Sequence, residues 1–368
     1  MPEIAVADDL SALDAALEQT PNRPAVFLLW PKEGDPYLGK TTVLRRRLLR
    51  LLREREAPSR LLNLRHTVSR VEYWLTGSKL ESSVRMYELA RQYFPKTYLD
   101  VLRLRMPPYV KLILTNEFPR SQITTQLGRA PAVYFGPFRT RATAERFESQ
   151  FLDLFQMRRC QEDLAPSPAH PGCIYGEMGM CLRPCQQVVT VEEYEHEVDR
   201  VIDFLRTGGK SLVDAAVSAR DGFSDDLDFE QAARQHKRVE KIEEVLKLRD
   251  ELASDISRLN GVAVTHSAEP QAVELWFVSR GSWLGKRRVT FEVIEGKPVS
   301  LDQKLREASA ALEQGTQSMR ERQEHLAILA RWYYSSWRDG EWLAFDSLEN
   351  LPYRKLVHAI SRVAQNVE

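Results

Sequence analysis

All four cysteines of this 368-residue chain, Cys160, Cys173, Cys181 and Cys185, fall within one short window, and none occurs elsewhere. Thiols scattered at random would rarely cluster so tightly, whereas four is the number that one tetrahedral zinc ion or one iron-sulfur cluster requires. The stretch Cys173-Ile-Tyr-Gly-Glu-Met-Gly-Met-Cys181-Leu-Arg-Pro-Cys185 is rich in glycine and ends in Pro-Cys. It reads as a loop wound around a buried centre, with the four thiols as the ligand set.

Disulfides are the first competitor for an even cysteine count. The opening Met-Pro-Glu-Ile-Ala-Val-Ala-Asp-Asp lacks the basic start and apolar run of a signal peptide, and no later stretch approaches the roughly 20 apolar residues of a membrane span. A cytoplasmic protein with reduced thiols is expected. Zinc sites favour close C-x2-C or C-x4-C pairs, but the gaps here are twelve, seven and three residues. The spacing favours an iron-sulfur cluster, with zinc as the alternative. His170 could replace one thiol, although a loop histidine is ordinarily just solvated.

With 52 basic and 52 acidic residues the net charge is zero, so total charge identifies no partner. Its distribution says more. Lys40, Arg45, Arg46, Arg47, Arg50, Arg53, Arg55, Arg60, Arg65 and Arg70 are opposed in that stretch by Glu54 and Glu56, while the balancing acids lie mostly beyond Glu192. An arginine stripe on a helix is commonly a solvated face, but one this lopsided is also the footprint of a phosphate-binding surface. Lys40, Arg45, Arg46, Arg50 and Arg53 are the candidate phosphate contacts.

Periodicity predicts an α+β chain. The first twenty residues read as a short helix, Ala25–Trp30 as a strand, and Tyr37–Lys40 as the entry to a helix with Leu44, Leu48, Leu51 and Leu52 on one face. Val71–Leu75 is a strand, Ser78 to Glu81 a capping box, and Tyr109–Thr115 and Ser121–Gln126 paired strands. Tyr134–Phe138 ends in a turn before a helix over 141–156. After the cysteines, helices are expected over 191–206 and from Leu227 to about Leu259, the latter as one coiled-coil-like helix or a hairpin with a hidden turn. A small β unit follows in Gly261–Thr265, Ala272–Val278 and Arg287–Phe291. The rest is expected to be helical, with Trp332, Tyr333, Tyr334, Trp337 and Trp342 as buried packing.

Gly34-Asp-Pro-Tyr-Leu-Gly39-Lys40-Thr41 matches the phosphate-loop pattern G-x-x-x-x-G-K-[ST]. Nucleotide binding is therefore an alternative function. Against it, Asp35 brings a negative charge to the loop, Pro36 removes an N–H donor, and the downstream strands read as antiparallel.

A second reading takes Tyr37-Leu38-Gly39 as the latter half of a GIY-YIG motif, with Ala25-Val26-Phe27 as the former half and Leu44 to Arg47 following. The chain then resembles the N-terminal two-thirds of the UvrC family, a subunit of the bacterial excision-repair nuclease. The resemblance runs in order through Tyr37-Leu-Gly-Lys40, Tyr109-Val-Lys-Leu, Glu117-Phe-Pro-Arg120, Tyr134-Phe-Gly-Pro137, Arg159-Cys160, Cys173, Cys181-x3-Cys185, Glu192-Glu-Tyr194 and Leu227-Asp-Phe-Glu-Gln-Ala-Ala233. Each motif alone is weak; the ordered set across roughly residues 24 to 290 is specific.

The resemblance implies a GIY-YIG-like domain over 22–100 and a cysteine-cluster segment over 101–210. It further implies a UVR helical hairpin over 220–258, then a small β unit with a helical region over 259–368, without the family's RNase H-like domain. It implies an iron-sulfur cluster, of the 4Fe-4S type, on Cys160, Cys173, Cys181 and Cys185. DNA and a UvrB-like protein are the implied partners, the latter docked through Phe229, Glu230 and Ala233, in nucleotide excision repair within the SOS response. Of the family's catalytic residues, Tyr37 and Arg47 are kept. The first tyrosine is replaced by Phe27, the metal-binding glutamate position aligns with Met86, and the asparagine position with Tyr98. A thioether gives Mg2+ no oxygen ligand, so a DNA- and partner-binding module is expected, with an active metal-dependent nuclease as the competing reading.

Overall fold

The structure, a computed structural model, describes residues 3–5, 10–54, 63–291, 293–294, 297–298, 300–310, 312 and 318–365. Within these residues the chain is α+β, with three four-stranded antiparallel sheets, one two-stranded ladder and twelve α-helices. None of these helices is long and apolar enough to cross a membrane.

The first unit contains β1 (Glu3–Ala5), α1 (Leu10–Gln19), β2 (Ala25–Pro31), β3 (Tyr37–Thr41), α2 (Leu44–Leu52), β4 (Val68–Leu75), α3 (Lys79–Tyr93) and α4 (Tyr98–Leu102), with strand order β1-β4-β2-β3. Successive side chains of a strand face opposite ways, and β2 uses both faces. Ala25, Phe27 and Leu29 join Leu44 and Leu48 of α2, while Val26 and Leu28 join Leu89 of α3. Gly39 lies opposite Phe27 in the ladder, where an added Cβ would sit 2.6 Å from Cζ of the Phe27 ring. Only glycine lets that ring cross the neighbouring strand.

This ladder corrects the phosphate-loop reading. Lys40 and Thr41 pair with Val26 and Ala25, and α2 begins only at Leu44. In an extended strand successive N–H groups point to opposite edges, so they cannot converge on one anion as a phosphate cradle requires.

The second unit has strand order β6-β5-β7-β8, from β5 (Tyr109–Ile113), β6 (Arg120–Thr124), β7 (Ala132–Gly136) and β8 (Ser254–Asp255). Its helices are α5 (Arg141–Leu152), the short α6 (Ile174–Glu177), α7 (Val191–Thr207), α8 (Lys210–Asp225) and α9 (Phe229–Lys247). A column of rings fills its core, with Phe135 stacked on Phe147 at 5.2 Å and Phe151 on Phe204 at 6.0 Å. The helix expected to reach Leu259 stops at Lys247 and pairs with α8, so the hairpin is formed by 210–247. Leu252, Ile256 and Leu259 continue the apolar spacing because they enter a different core, beside Tyr87, Trp276 and Leu326.

The third sheet, order β11-β10-β9-β14, contains β9 (Gly261–His266), β10 (Ala272–Ser279), β11 (Ser282–Thr290) and β14 (Glu341–Ala344); the ladder is β12 (Val293–Ile294) with β13 (Lys297–Pro298). The accompanying helices are α10 (Leu301–Ala310), α11 (Met319–Tyr333) and α12 (Tyr353–Gln365). Trp342 thus belongs to an edge strand paired with Ala263, not to the helical region expected there. Leu326, Leu329 and Trp332 of α11 share a core with Leu80 and Tyr87 of the first unit and Tyr109 and Tyr134 of the second. Helix α11 therefore sits where the three units meet.

Candidate functional site

The cysteine segment is tied down by polar side chains. Arg158, only 2% exposed, donates from Nε to the Phe118 carbonyl at 2.9 Å and from Nη1 to the Glu162 carbonyl at 2.8 Å. The same Nη1 lies 3.5 Å from Cys160 Sγ. The Tyr194 hydroxyl accepts the Arg158 N–H at 3.0 Å and donates to the Pro119 carbonyl at 2.8 Å. Arg158 was missed in the sequence, where an arginine beside Arg159 carries no sign of burial.

Between Gly172 and Gln187 the backbone takes four left-handed residues, Gly172, Gly179, Arg183 and Gln187. That winding returns the chain on itself, and short helical turns at Ile174–Glu177 and Pro184–Gln186 occupy the intervals expected as loop. Cys181 and Cys185 are buried, Cys160 is half-buried and Cys173 is exposed; none of the four is paired in a disulfide. Burial, with the charges of the other three cysteines, pushes the Cys181 thiol up to about 11, against a lowering contact from the Arg183 N–H. The Cys185 thiol is raised by burial and by Cys160 and Cys173. Cys181 and Cys185 thus each feel the charges of Cys160 and Cys173, although among the described residues no three Cys, His, Asp or Glu side chains converge tightly enough to hold an ion as they stand. His170 Nδ1 accepts the Gly172 N–H at 3.0 Å, closing a local turn.

The GIY-YIG candidates divide between the two faces of the first sheet. Arg47 Nη2 donates to the Tyr37 hydroxyl at 3.3 Å, and the Tyr37 ring lies 6.2 Å from that of Phe27. Met86 packs on the opposite face with Val26 and Leu28, and shares a small cleft with Lys40. Glu81 is buried and accepts from the Gly77 N–H at 2.8 Å and from Lys286 Nζ at 2.6 Å, while Ser78 caps the helix by accepting the Glu81 N–H. Glu88 is ion-paired to Arg85 at 2.9 Å. Among the described residues no carboxylate bonds to Tyr37 or Arg47. Tyr98 is turned away as well, donating to Glu324 at 2.5 Å.

The arginine run is only partly a surface. Arg46 and Arg50 are exposed on α2 and Arg53 at its C-terminal cap, but Arg45 Nε donates to the Thr20 carbonyl at 2.7 Å and so holds the end of α1. Arg65 is buried in a bidentate pair with Asp14, at 2.7 and 2.9 Å, and Arg70 pairs with Glu72 at 2.8 Å. Arg55 and Arg60 lie outside the described residues. The tip of the α8–α9 hairpin exposes Leu227 at 73% and Phe229 at 67%, with Glu230 and Ala233 also exposed. Phe229 does not pack within its own hairpin.

Residues 108–204, which carry the cysteine segment, match the UvrC/Cho excinuclease middle domain. The chain is similar to UvrC. It is 28% identical to the UvrABC system protein C of Moorella thermoacetica over 88% of this chain and 49% of that protein. The corresponding protein of Lachnospira eligens is 24% identical over 77% of this chain and 47% of its own length. That of Methanothermobacter thermautotrophicus is 26% identical over 73% and 45%. The chain thus spans about half the length of the UvrC proteins it matches. No solved structure matches.

Proposed function

We propose that this chain is a UvrC-like component of nucleotide excision repair that binds DNA and a UvrB-like partner and lacks a complete nuclease centre of its own. The observation that carries this is the division of the first sheet. Tyr37 and Arg47 keep a GIY-YIG-like pairing, no carboxylate bonds to either of them among the described residues, and Met86 lies on the other face. A hydrolytic magnesium site needs oxygen ligands beside the nucleophile, and Phe27 contributes no hydroxyl.

The donor set of the cysteine segment suits an iron-sulfur cluster. Cys160, Cys173, Cys181 and Cys185 would hold it, with zinc as the alternative; in the excision-repair reading its service is structural, fixing the segment between α5 and α7. Arg158 near Cys160 Sγ, and the Arg183 N–H 3.4 Å from Cys181 Sγ, are the donors that stabilise thiolate sulfur. For the partner, the exposed Phe229 at the hairpin tip supports docking there.

The test is nicking of supercoiled and damaged DNA with Mg2+ or Mn2+ by the purified chain, beside an Arg47→Ala control. No metal-dependent nicking is expected. Nicking that disappears in Arg47→Ala would establish the active-nuclease reading instead.

A further inference from the structure

Three clefts meet at Arg331 of α11. The first, about 770 Å3, is lined by Arg103, Arg105, Arg139, Arg141 and Arg331, and no carboxylate lines it. The second, about 150 Å3, joins Arg331 to Lys40 of β3, again without an acid. The third, about 580 Å3, contains Lys40, Arg331, Thr41 and Ser82. Its one acid, Asp339, is occupied by the Lys79 N–H at 2.6 Å and Trp332 Nε1 at 3.0 Å.

These cations come from four separate places: the chain after α4, the start of α5, the end of α11, and β3. A solvated arginine stripe lies along one convex helix, whereas these converge on a concavity between packed units. Arg141 is paired with Glu145, but Arg103, Arg105, Arg139 and Arg331 make no ion pair among the described residues. Lys40 remains exposed, but partial desolvation, and the Arg331 charge after it, hold its ammonium below the usual range. Beside the start of α5 the Asp250 carboxylate is taken up by the Arg139 N–H at 2.7 Å and the Thr143 hydroxyl at 3.0 Å, not by a guanidinium. Cations that outnumber the nearby acids in a cleft repel one another, and a polyanion relieves that repulsion.

We propose that this concavity is a track for the phosphodiester backbone of DNA, running from the start of α5 past Arg331 to Lys40. It rests on the DNA-binding function proposed above but uses a different surface from the α2 arginines. Strand alternation turns Lys40 to the face opposite Tyr37, toward Arg331, and there it is the terminal phosphate contact of a path that begins in the second unit.

The experiment measures binding of the full chain to a labelled DNA duplex, and to one of its single strands, as a function of salt. Replacing three phosphate contacts with Arg103→Gln, Arg139→Gln and Arg331→Gln together should lower the slope of log affinity against log salt by about 2 to 3. Affinity at moderate salt should fall about tenfold or more. In the wild-type chain, bound DNA should also protect Lys40 from acylation, a readout that needs no variant to fold. A triple variant with unchanged slope and affinity, or a Lys40 left unprotected by bound DNA, overturns the track. If only Arg46→Gln, Arg50→Gln and Arg53→Gln weaken binding, the track falls and DNA binding stands. A wild-type chain that binds neither probe overturns both.

Discussion

The hydroxyl of Tyr98 donates to Glu324 at 2.5 Å, bridging α4 of the first unit to α11. The other carboxylate oxygen accepts from the Tyr87 hydroxyl of α3 at 2.7 Å, and Arg320 Nε adds a third contact at 3.0 Å. Glu324 is 1% exposed. A buried carboxylate is tolerated only when its hydrogen bonds are met, and here two tyrosines from one unit meet it on a helix of another. Tyr98 thereby joins two units. Desolvation, together with the hydrogen bond to Glu324, raises the Tyr87 hydroxyl well above the usual tyrosine range, so it remains the donor.

Tyr98→Phe should therefore cost about 1.5–3 kcal/mol, the range for a hydrogen bond to a charged group. Urea unfolding measures it. A double-mutant cycle with Glu324→Gln should give a coupling of at least about 0.5 kcal/mol; additive effects would mean that the two side chains act independently.

His325, the next residue on α11, gives the chain an acid-side sensitivity. Burial pushes its imidazole from 6.5 down to about 4, against the opposing charges of Glu321 and Glu324 and with a minor lowering by Arg91. The folded state binds fewer protons than the unfolded state between these values, so unfolding takes up a proton there. Stability from this group is complete above pH 6.5 and lost as pH falls toward 4, by on the order of 2–3 kcal/mol. Denaturation at stepped pH should show that slope, and His325→Asn should flatten it. An identical slope in the variant would assign the acid sensitivity to other groups.

Local signals were legible in the sequence and long-range ones were not. Ser78 with Glu81, the paired strands around Glu117–Phe118, and the α2 leucines were all read from residues a few positions apart. Helix α8 was missed because its packing face uses small side chains such as Ala216 beside Leu212, which leave little bulky periodicity. Strand β14 reads as helix in the sequence because Trp332 and Trp342 form one aromatic group there, although they lie on α11 and a sheet edge. Arg65 was counted as surface charge because nothing local reveals its pairing with Asp14, 51 positions away. The Arg331 clefts gather residues from 24 to 339, which no local pattern connects.

For the cysteine segment, anaerobically purified protein should be brown and carry about four irons per chain if the centre is of the 4Fe-4S type. Cys181→Ala should bleach it and make the segment around Tyr175 susceptible to proteolysis. Arg158→Met should destabilise the same segment even without metal, because it strands the Phe118 and Glu162 carbonyls. Stoichiometric zinc without iron would exclude the cluster and retain the metal site.

Phe229 supplies the most direct test of the partner. At 67% exposure, with Leu227 beside it at 73%, it contributes little to the core, so Phe229→Ala should leave the melting temperature and helical content nearly unchanged. If it anchors the hairpin tip in a groove of a UvrB-like protein, truncation should cost about 2 kcal/mol, or roughly thirtyfold in affinity. Glu230 and Ala233 lie on the same exposed end of α9. Ala233→Arg should therefore impair binding by obstructing the approach of the partner helix. The two substitutions together separate docking from folding: lost binding with an intact hairpin places the partner at this tip, whereas unchanged binding in both would move the interface to another surface of the chain.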